Sequence, residues 1–314
     1  MIAFLFPGQG SQKVGMGRAL ADAFPEARAA FAEADAAFTA DETGGPSLRE
    51  LCFEGPEDRL TLTEYTQPAI LAVSVAAARV LAAHGVEPGL VAGHSLGEYS
   101  ANVIAGTFAF ADAVRIVRRR GRYMQAAVPV GAGAMAAILG LDAASVRRAC
   151  DEAAQGEVVS PANINSPDQI VIAGTAGAVQ RASERAKALG AKRAVPLPVS
   201  APFHCALMKP AEVRLEPELR ALSVQPPRIP IVANVDAQPK QDAREAIDAL
   251  VRQVSAPVLW ADIVRRLASA GVTTYVEVGP GRVLGGLVKK IHRDARVLAF
   301  GEPDDLDAVL TSAK

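Results

Sequence analysis

Blocks of apolar residues alternate with amphipathic stretches along the first 130 residues, and their spacing predicts strands followed by helices. Residues 25–38 repeat apolar side chains every three or four positions, as expected for a helix with one buried face. Residues 66–83 predict an alanine-rich helix with Pro68 in its first turn. The predicted elements of this part are a strand at 2–6, helices at 25–38, 66–83 and 110–127, a strand at 90–92, and a glycine-, proline- and threonine-rich connection at 41–47. Their alternation predicts a mostly parallel sheet.

The pattern changes after Pro129. It predicts the order β-α-β-β-α-β, which is typical of a ferredoxin-like domain, with elements at 133–141, 143–154, 158–164, 169–173, 176–189 and 192–197. Mixed elements then return, with strands at 229–234 and 273–278 and helices at 243–253, 260–270 and from Val283. The sequence therefore predicts an α/β fold: a large α/β-hydrolase-like domain with a mostly parallel sheet at 1–130 and 199–314, and an inserted small ferredoxin-like domain at 131–198.

Composition narrows the function. The 314 residues are 50% hydrophobic and 21% charged, with a formal net charge of -1, which is the balance of a globular enzyme. No overall basic field favours nucleic acid or an anionic membrane as a partner, and no secretory leader is visible, so we expect a cytoplasmic protein. Cys52, Cys150 and Cys205 are widely spaced and indicate neither a disulfide framework nor a metal site. Cys205 follows His204, so it is either a nucleophile or a small buried residue.

The pentapeptide Gly-His-Ser-Leu-Gly at 93–97 directly follows the predicted strand at 90–92. A sharp turn from strand to helix needs small residues two positions on either side of the serine. Such a turn presents the Ser95 hydroxyl at a helix N-terminus, where backbone N–H groups stabilise a developing oxyanion. The alternative is a glycine-rich turn with an incidental serine.

A serine nucleophile needs a base, and the chain has four histidines. His94 is adjacent to Ser95 and should point away from it, while His84 and His292 occupy positions typical of exposed helix surfaces. His204 lies in a proline-rich loop and is the remaining candidate, with a structural histidine as the alternative. No acidic residue lies in an obvious catalytic loop, so a carbonyl group could orient the base. Such a Ser-His dyad suits thioesters, because the thiolate leaves easily.

Five motifs in order resemble one known family: Pro-Gly-Gln-Gly-Ser-Gln at 7–12, Gly-His-Ser-Leu-Gly-Glu at 93–98, Arg-Gly at 120–121, Pro-Phe-His at 202–204 and Glu-Val-Gly-Pro-Gly at 277–281. The chain is similar over nearly its whole length to malonyl-CoA:acyl carrier protein transacylases of type II fatty acid synthesis. It is also similar to the related acyltransferase domains of polyketide synthases.

The resemblance implies roles for individual residues. Ser95 would carry the acyl group, His204 would act as base, and Gln9 would form the oxyanion hole with the backbone amide of Leu96. Arg120 would pair with the free carboxylate of the malonyl group, a pairing that a planar guanidinium suits. Gln253 would orient His204 through its main-chain oxygen.

Arginines occur at 118, 119 and 120. Read from the residues alone, this run is either a solvated helix face or one inward arginine with two outward neighbours, because successive helix positions point ~100° apart.

Substrate preference also follows from the resemblance. Phe203 before the histidine and Leu96 after the serine agree with malonyl rather than methylmalonyl selectivity. Ala201 and Pro202 depart from the malonyl-type pattern, which has His-Ala there, and Phe203 could instead be a core residue.

The implied partners are malonyl-CoA and an acyl carrier protein, with no cofactor. A carrier protein of this kind is acidic, so basic residues at the cleft should receive it. The candidates are Lys192 and Arg193, with Lys187 nearby, on the small domain, and Lys289 and Lys290, with Arg293 nearby, towards the C-terminus; the alternative is ordinary surface charge. Two rival functions are a discrete acyltransferase that loads polyketide synthase carriers and a serine hydrolase of acyl thioesters. A non-catalytic carrier-binding module would not need Ser95, His204 and Gln9 together.

Overall fold

The computed structural model describes residues 1–39 and 45–313, so positions 41–44 of the predicted connection lie outside the described residues. The strands of this part are β1 (Ile2–Phe6), β2 (Leu90–Gly93), β3 (Gly133–Leu139), β4 (Val159–Ser166), β5 (Gln169–Thr175), β6 (Arg193–Pro196), β7 (Ile231–Val232), β8 (Pro239–Lys240), β9 (Thr274–Val278) and β10 (Arg296–Phe300). The helices are α1 (Arg18–Ala23), α2 (Pro25–Thr39), α3 (Leu48–Phe53), α4 (Glu57–Leu60), α5 (Thr63–Ala83), α6 (Gly97–Ala105), α7 (Phe110–Ala126), α8 (Ala143–Ala154), α9 (Ala176–Ala188), α10 (Lys209–Arg220), α11 (Ala243–Gln253), α12 (Trp260–Ser269), α13 (Val283–Ile291) and α14 (Leu306–Ala313).

The larger sheet has the strand order β10-β9-β1-β2-β7-β8. All of its pairings are parallel except the short one between β7 and β8. Strand β1 lies inside this sheet with both faces covered: Phe4 and Phe6 pack into one apolar cluster, and Ala3 and Leu5 into another. Burial on both faces explains why β1 is apolar throughout rather than alternating. The predicted mostly parallel sheet is confirmed.

Helix α5 is the core helix on one side of this sheet. It is long and apolar enough to cross a membrane, yet 83% of its most apolar stretch is buried inside the protein, as in the core helix of a globular domain. The helix begins at Thr63, with the Thr66 amide donating to the Leu62 carbonyl. The prediction that Pro68 lies in the first turn was therefore wrong: Pro68 lies inside the helix, and polar Thr63 and Gln67 belong to its opening turns.

The second sheet is antiparallel, with the order β4-β5-β3-β6. Counted from β3, this is the strand order of a ferredoxin-like sheet, and α8 and α9 share an apolar cluster with it. The predicted ferredoxin-like order of strands and helices is thus confirmed. The sheet lies within residues 133–196, inside the segment predicted at 131–198, while the domain boundaries themselves stay a prediction.

Backbone hydrogen bonds join the smaller sheet to the segment that precedes α12. Val258 donates its amide to Ala162 O at 2.8 Å and accepts from the Ile164 amide at 2.9 Å. Strand β4 of the smaller sheet is therefore held directly against the segment that leads into α12. At the far end of β4, Lys290 Nζ lies 3.5 Å from Asp168 Oδ1.

Several elements differ from the predicted ones. The strand predicted at 229–234 is only two residues long in the structure, as β7. The chain beyond it turns back so that β8 pairs with β7, and Asn234 forms a hydrogen bond with the loop at 93–97. Helices α3, α4, α10 and α14 and strand β10 had no counterpart in the predicted pattern. Helix α10 contains Pro217 in its interior, a residue that argues against a helix when read in sequence.

We predict that Gly93→Ala lowers the melting temperature strongly. A Cβ at Gly93 would lie 1.9 Å from the Gly97 carbonyl carbon, and neither backbone can move without breaking the turn. Overpacking of this kind costs on the order of 1–3 kcal/mol or more.

Gly286→Ala is the matched control, because Gly286 lies in the exposed part of α13 with nothing within 4 Å of a Cβ. Alanine there should raise stability by up to about 1 kcal/mol. Equal melting temperatures for the two variants would contradict the packing argument.

Candidate active site

The loop at 93–97 is a strained turn between β2 and α6. Ser95 has a φ of 52°, a left-handed conformation that side chains rarely adopt. A Cβ at Gly97 would lie 2.0 Å from Phe6 O, so the turn packs directly on the end of β1. This is the geometry that the glycine spacing predicts, with the serine at the start of a helix.

Asn234 holds this turn from the side. Its Oδ1 accepts from the Ser95 amide at 2.7 Å, and its Nδ2 donates to Gly93 O at 2.7 Å. The amide thus satisfies the backbone on both sides of the strained residue, in a fully buried position. The Leu96 amide, by contrast, is used by no hydrogen bond of the described residues and is left at the helix N-terminus.

His204 lies against Ser95. Its Nε2 is 2.7 Å from Ser95 Oγ, and its Nδ1 is 2.9 Å from the main-chain oxygen of Gln253. A carbonyl oxygen only accepts, so Nδ1 carries the proton and Nε2 presents its lone pair to the hydroxyl. Burial, with the positive charge of Arg120 as a second cause, lowers the pKa of His204 to about 3. The imidazole is therefore neutral at neutral pH.

The other histidines have structural partners. His94 Nε2 lies 2.8 Å from Asn165 Oδ1 on β4, so its ring points away from the serine as expected. His84 is exposed, with Nδ1 2.8 Å from Val80 O. His292 is half-buried rather than exposed, because its Nδ1 lies 3.0 Å from the Tyr275 hydroxyl.

Cys205 is a small buried residue. Its Sγ lies 3.1 Å from Pro202 O, and burial raises the pKa of the thiol to about 11. A thiol that stays protonated is a poor nucleophile. The geometry therefore favours Ser95 over Cys205.

Arg120 is buried beside the serine, with 2% of its surface exposed. Its guanidinium donates to three neutral oxygens: Gln67 Oε1 at 2.7 Å, Gln253 Oε1 at 2.8 Å and Ser95 Oγ at 3.2 Å. No carboxylate of the described residues forms an ion pair with it. A buried cation without a paired anion is costly, so this is a place where an anionic ligand fits.

Gly121 explains why an arginine reaches this point. A Cβ at Gly121 would lie 2.7 Å from Thr63 O, so only glycine lets α7 approach the start of α5 this closely. The expectation of one inward and two outward arginines was wrong. Arg118 is also buried, on another side of α7, where its Nη1 donates to Phe38 O at 2.9 Å. Arg119 is half-buried and pairs with Glu218 at 2.9 Å.

Gln253, at the end of α11, contacts most of the site. Besides its main-chain bond to His204 and its Oε1 bond to Arg120, its Nε2 donates to Ser95 O at 2.9 Å and to Glu98 Oε2 at 2.7 Å. Glu98 is buried, and its Oε2 also accepts from the main-chain N–H of Asn234 at 3.1 Å. Burial raises the pKa of the Glu98 carboxyl to about 7.

Gln9 lies on the loop after β1 and lines the same cleft as Ser95, Arg120 and His204. Its side chain is exposed, and its Oε1 accepts from the Thr63 hydroxyl at 2.9 Å. The Nε2 group is therefore the end of the amide left to donate into the cleft. The open cleft has about 580 Å³ of free space, including its mouth.

Phe203 belongs to both of the environments considered for it. It is 8% exposed and packs in the main apolar cluster, and its ring also lines the cleft beside His204. Its position is thus compatible with a core role and with a wall of the acyl pocket.

The predicted docking residues fall into two kinds. Lys192 and Arg193 are exposed at the edge strand β6, next to the end of β3. Lys289 donates to Ala295 O at 2.6 Å, and Lys290 lies 3.5 Å from Asp168 Oδ1 and 3.3 Å from Gln169 Oε1. The second pair is exposed but already engaged with the protein's own oxygens.

Sequence reasoning assigned no role to four polar residues of the site: Thr63, Gln67, Glu98 and Asn234. A usable signal existed for two of them, because Thr63 and Gln67 are polar residues in the opening turns of a mostly apolar helix. Glu98 was visible in its motif, but nothing in the pattern placed it against Gln253. Asn234 comes from a distant strand end, and no local spacing indicates its contact with the turn.

Comparison with known proteins shows the family of this chain. A model of the acyl transferase domain matches residues 3–300, and the chain belongs to that family. Among relatives, it is 52% identical over 309 residues to the malonyl CoA-acyl carrier protein transacylase of Escherichia coli O157:H7, covering 98% of each chain. It is 46% identical over 314 residues to the protein of the same name from Bacillus subtilis, covering 100% of this chain and 97% of the relative. The resemblance stated from the motifs is confirmed.

Solved structures lead to the same family. An acyl carrier protein S-malonyltransferase from Vibrio cholerae matches with a TM-score of 0.94 and 48% identity, over 98% of this chain and 99% of the other. A malonyl-transacylase in complex with its type II polyketide synthase acyl-carrier protein matches with a TM-score of 0.95 and 49% identity, over 99% of each chain.

Proposed function

We propose that this protein transfers a malonyl group from malonyl-CoA to the phosphopantetheine thiol of an acyl carrier protein, through a malonyl ester on Ser95. The observation that carries this proposal is the environment of Arg120. A buried guanidinium that is held by neutral oxygens, lies 5.3 Å from the centre of the Tyr99 ring and has no carboxylate partner among the described residues suits a substrate that brings its own carboxylate close to Ser95. Malonyl thioesters have that chemistry, and the relatives named above support the same substrate.

In the first half-reaction, His204 Nε2 takes the hydroxyl proton of Ser95 as Oγ attacks the thioester carbonyl. The oxyanion that forms accepts hydrogen bonds from the Leu96 amide and from Gln9 Nε2. When the intermediate collapses, the carbon–sulfur bond breaks and the proton held by His204 passes to the leaving thiolate of coenzyme A. The main-chain oxygen of Gln253 keeps the imidazole in the tautomer that can accept that proton.

The second half-reaction is the reverse with another thiol. His204 takes the proton of the carrier's phosphopantetheine thiol, the sulfur attacks the malonyl ester, and the proton returns to Ser95 Oγ. One base therefore serves both steps, and the malonyl ester on Ser95 that separates them gives ping-pong kinetics. Because the pKa of His204 is about 3, the base is in its working form throughout the neutral range.

The carrier is proposed to be that of fatty acid synthesis, in the cytoplasm. A carrier of polyketide synthesis is the second candidate, favoured by the similarity to the malonyl-transacylase solved with such a carrier. Both use the same chemistry at Ser95. Purified carriers of the two kinds, offered in parallel to the malonylated enzyme, separate the alternatives by their second-order transfer rates, and no transfer to a fatty acid carrier would exclude the first.

Ser95→Ala should abolish the covalent intermediate. Incubation with malonyl-CoA followed by intact-protein mass spectrometry should show one malonyl adduct on the wild type and none on the variant. Water competes for the same ester. The hydrolysis rate is therefore measured without carrier and compared with the transfer rate in its presence. Hydrolysis faster than transfer would favour the thioesterase alternative.

Arg120→Ala should slow malonyl loading of Ser95 by roughly 10- to 150-fold, because a charge-assisted pair contributes about 1.5–3 kcal/mol. Acetyl loading should change by less than about tenfold, because acetyl has no carboxylate to bind.

Arg119→Ala is the control for that variant, since Arg119 lies on the same helix but pairs with Glu218 on the outer surface. It should load both acyl groups at the wild-type rate. Equal losses of malonyl and acetyl loading in Arg120→Ala would contradict the carboxylate role.

Reversing the charge at Lys192 and Arg193 together should weaken the carrier half-reaction alone. We expect Lys192→Glu with Arg193→Glu to raise the KM for the acidic carrier several-fold and to reduce its salt dependence, because electrostatic attraction governs encounter. Loading of Ser95 from malonyl-CoA, measured without carrier, is the internal control. An unchanged KM for the carrier would assign these residues to ordinary surface charge.

A further inference from the structure

A row of hydrogen bonds runs from Arg120 to Gln9 through two side chains that the reaction steps above do not use. Arg120 Nη1 donates to Gln67 Oε1 at 2.7 Å, and Gln67 Nε2 donates to Thr63 Oγ1 at 3.0 Å. The Thr63 hydroxyl donates to Gln9 Oε1 at 2.9 Å. Thr63 and Gln67 are each 1% exposed and lie one turn apart on α5.

Arg120 determines which group donates and which accepts along this row. A guanidinium has donors and no acceptor, so the oxygen of the Gln67 carboxamide must face Arg120. The nitrogen of Gln67 then faces Thr63 and also Met124 Sδ, which lies 4.0 Å away and is a weak acceptor. The opposite orientation of the amide would turn its NH₂ group towards the guanidinium, so that two donors would face each other.

The Thr63 hydroxyl in turn determines which end of the Gln9 amide it contacts. Its hydroxyl has one proton, and since its oxygen accepts from Gln67, that proton is the one available for Gln9 Oε1. The carbonyl end of the Gln9 amide is thereby occupied. Its NH₂ end is the one left to donate, and Gln9 lines the cleft in which an acyl oxygen on Ser95 would lie.

We propose that Thr63 is a positioning residue for the acyl transfer: its hydroxyl, oriented by Gln67, holds the carboxamide of Gln9 with the NH₂ group towards the developing oxyanion. This inference rests on the proposed function, in which Gln9 is an oxyanion donor. Gln9 is an exposed side chain on a loop, and without Thr63 its amide is free to turn its oxygen towards the negative charge. A donor contributes to the transition state only when it is already oriented.

Thr63→Val and Thr63→Ser form the matched pair that tests it. Valine keeps the shape of threonine and removes the hydroxyl, whereas serine keeps the hydroxyl. We expect Thr63→Val to lower the single-turnover rate of Ser95 loading by about tenfold or more, for malonyl-CoA and acetyl-CoA alike, because loss of a whole oxyanion donor costs roughly 100-fold or more. The KM for malonyl-CoA should change by less than about threefold, and Thr63→Ser should restore the rate to within about threefold.

The same substitution in a Gln9→Ala background distinguishes the possible failures. If Thr63 acts through Gln9, Thr63→Val has no further effect once Gln9 is gone. An equal loss in both backgrounds, or an unchanged rate for Thr63→Val in the wild-type background, would overturn the positioning role while leaving Gln9 as donor. An unchanged rate for Gln9→Ala would instead remove Gln9 from the proposed mechanism, and the positioning role with it.

Melting temperatures show whether each variant is folded. Should Thr63→Val fail to fold, Thr63→Ala replaces it, because alanine removes the hydroxyl without pressing an apolar methyl against Gln67. The expected and overturning results are the same for that variant.

Discussion

The site depends on a positive charge buried without a direct negative partner. Moving a guanidinium out of water is unfavourable, and a paired carboxylate is the usual compensation. Here the compensation comes from neutral oxygens of Gln67 and Gln253, with the Glu98 carboxylate one residue further away, on the opposite end of the Gln253 amide. The Gln253 amide lies between the Glu98 carboxyl group and Arg120, and the arginine therefore stays free to bind a carboxylate that arrives with the substrate.

The absence of a negative partner for Arg120 also explains why His204 Nδ1 donates to a carbonyl oxygen rather than to a carboxylate. An aspartate at that position would lie near Arg120 as well, and it would compete with a substrate carboxylate for the guanidinium. The main-chain oxygen of Gln253 fixes the tautomer without adding a charge. Arg120 also helps to keep the pKa of His204 low, so the cation that binds the substrate and the neutral base are compatible within one small cleft.

Much of this was predictable from the sequence where local spacing carries the information. The elbow at 93–97 and the β-α-β-β-α-β order of the smaller sheet follow from turn chemistry and periodicity, and the structure has both. Side chains that meet only after folding were not predictable in the same way. Asn234 contacts the turn at 93–97 from a segment that was predicted as part of a strand but lies beyond its end. Arg118 is buried, although the run of arginines suggested exposure to solvent.

The matching motifs do not all serve the reaction directly. Gly121 lets α7 come close to α5, so that Arg120 reaches both Gln67 and Ser95. In the motif at 277–281, Glu277 accepts from the amides of Leu284 and Gly285, which caps the start of α13 and gives that carboxylate a structural rather than a catalytic partner. A motif list therefore overstates the number of catalytic groups, and contacts, rather than membership of a motif, decide which residues act on the substrate.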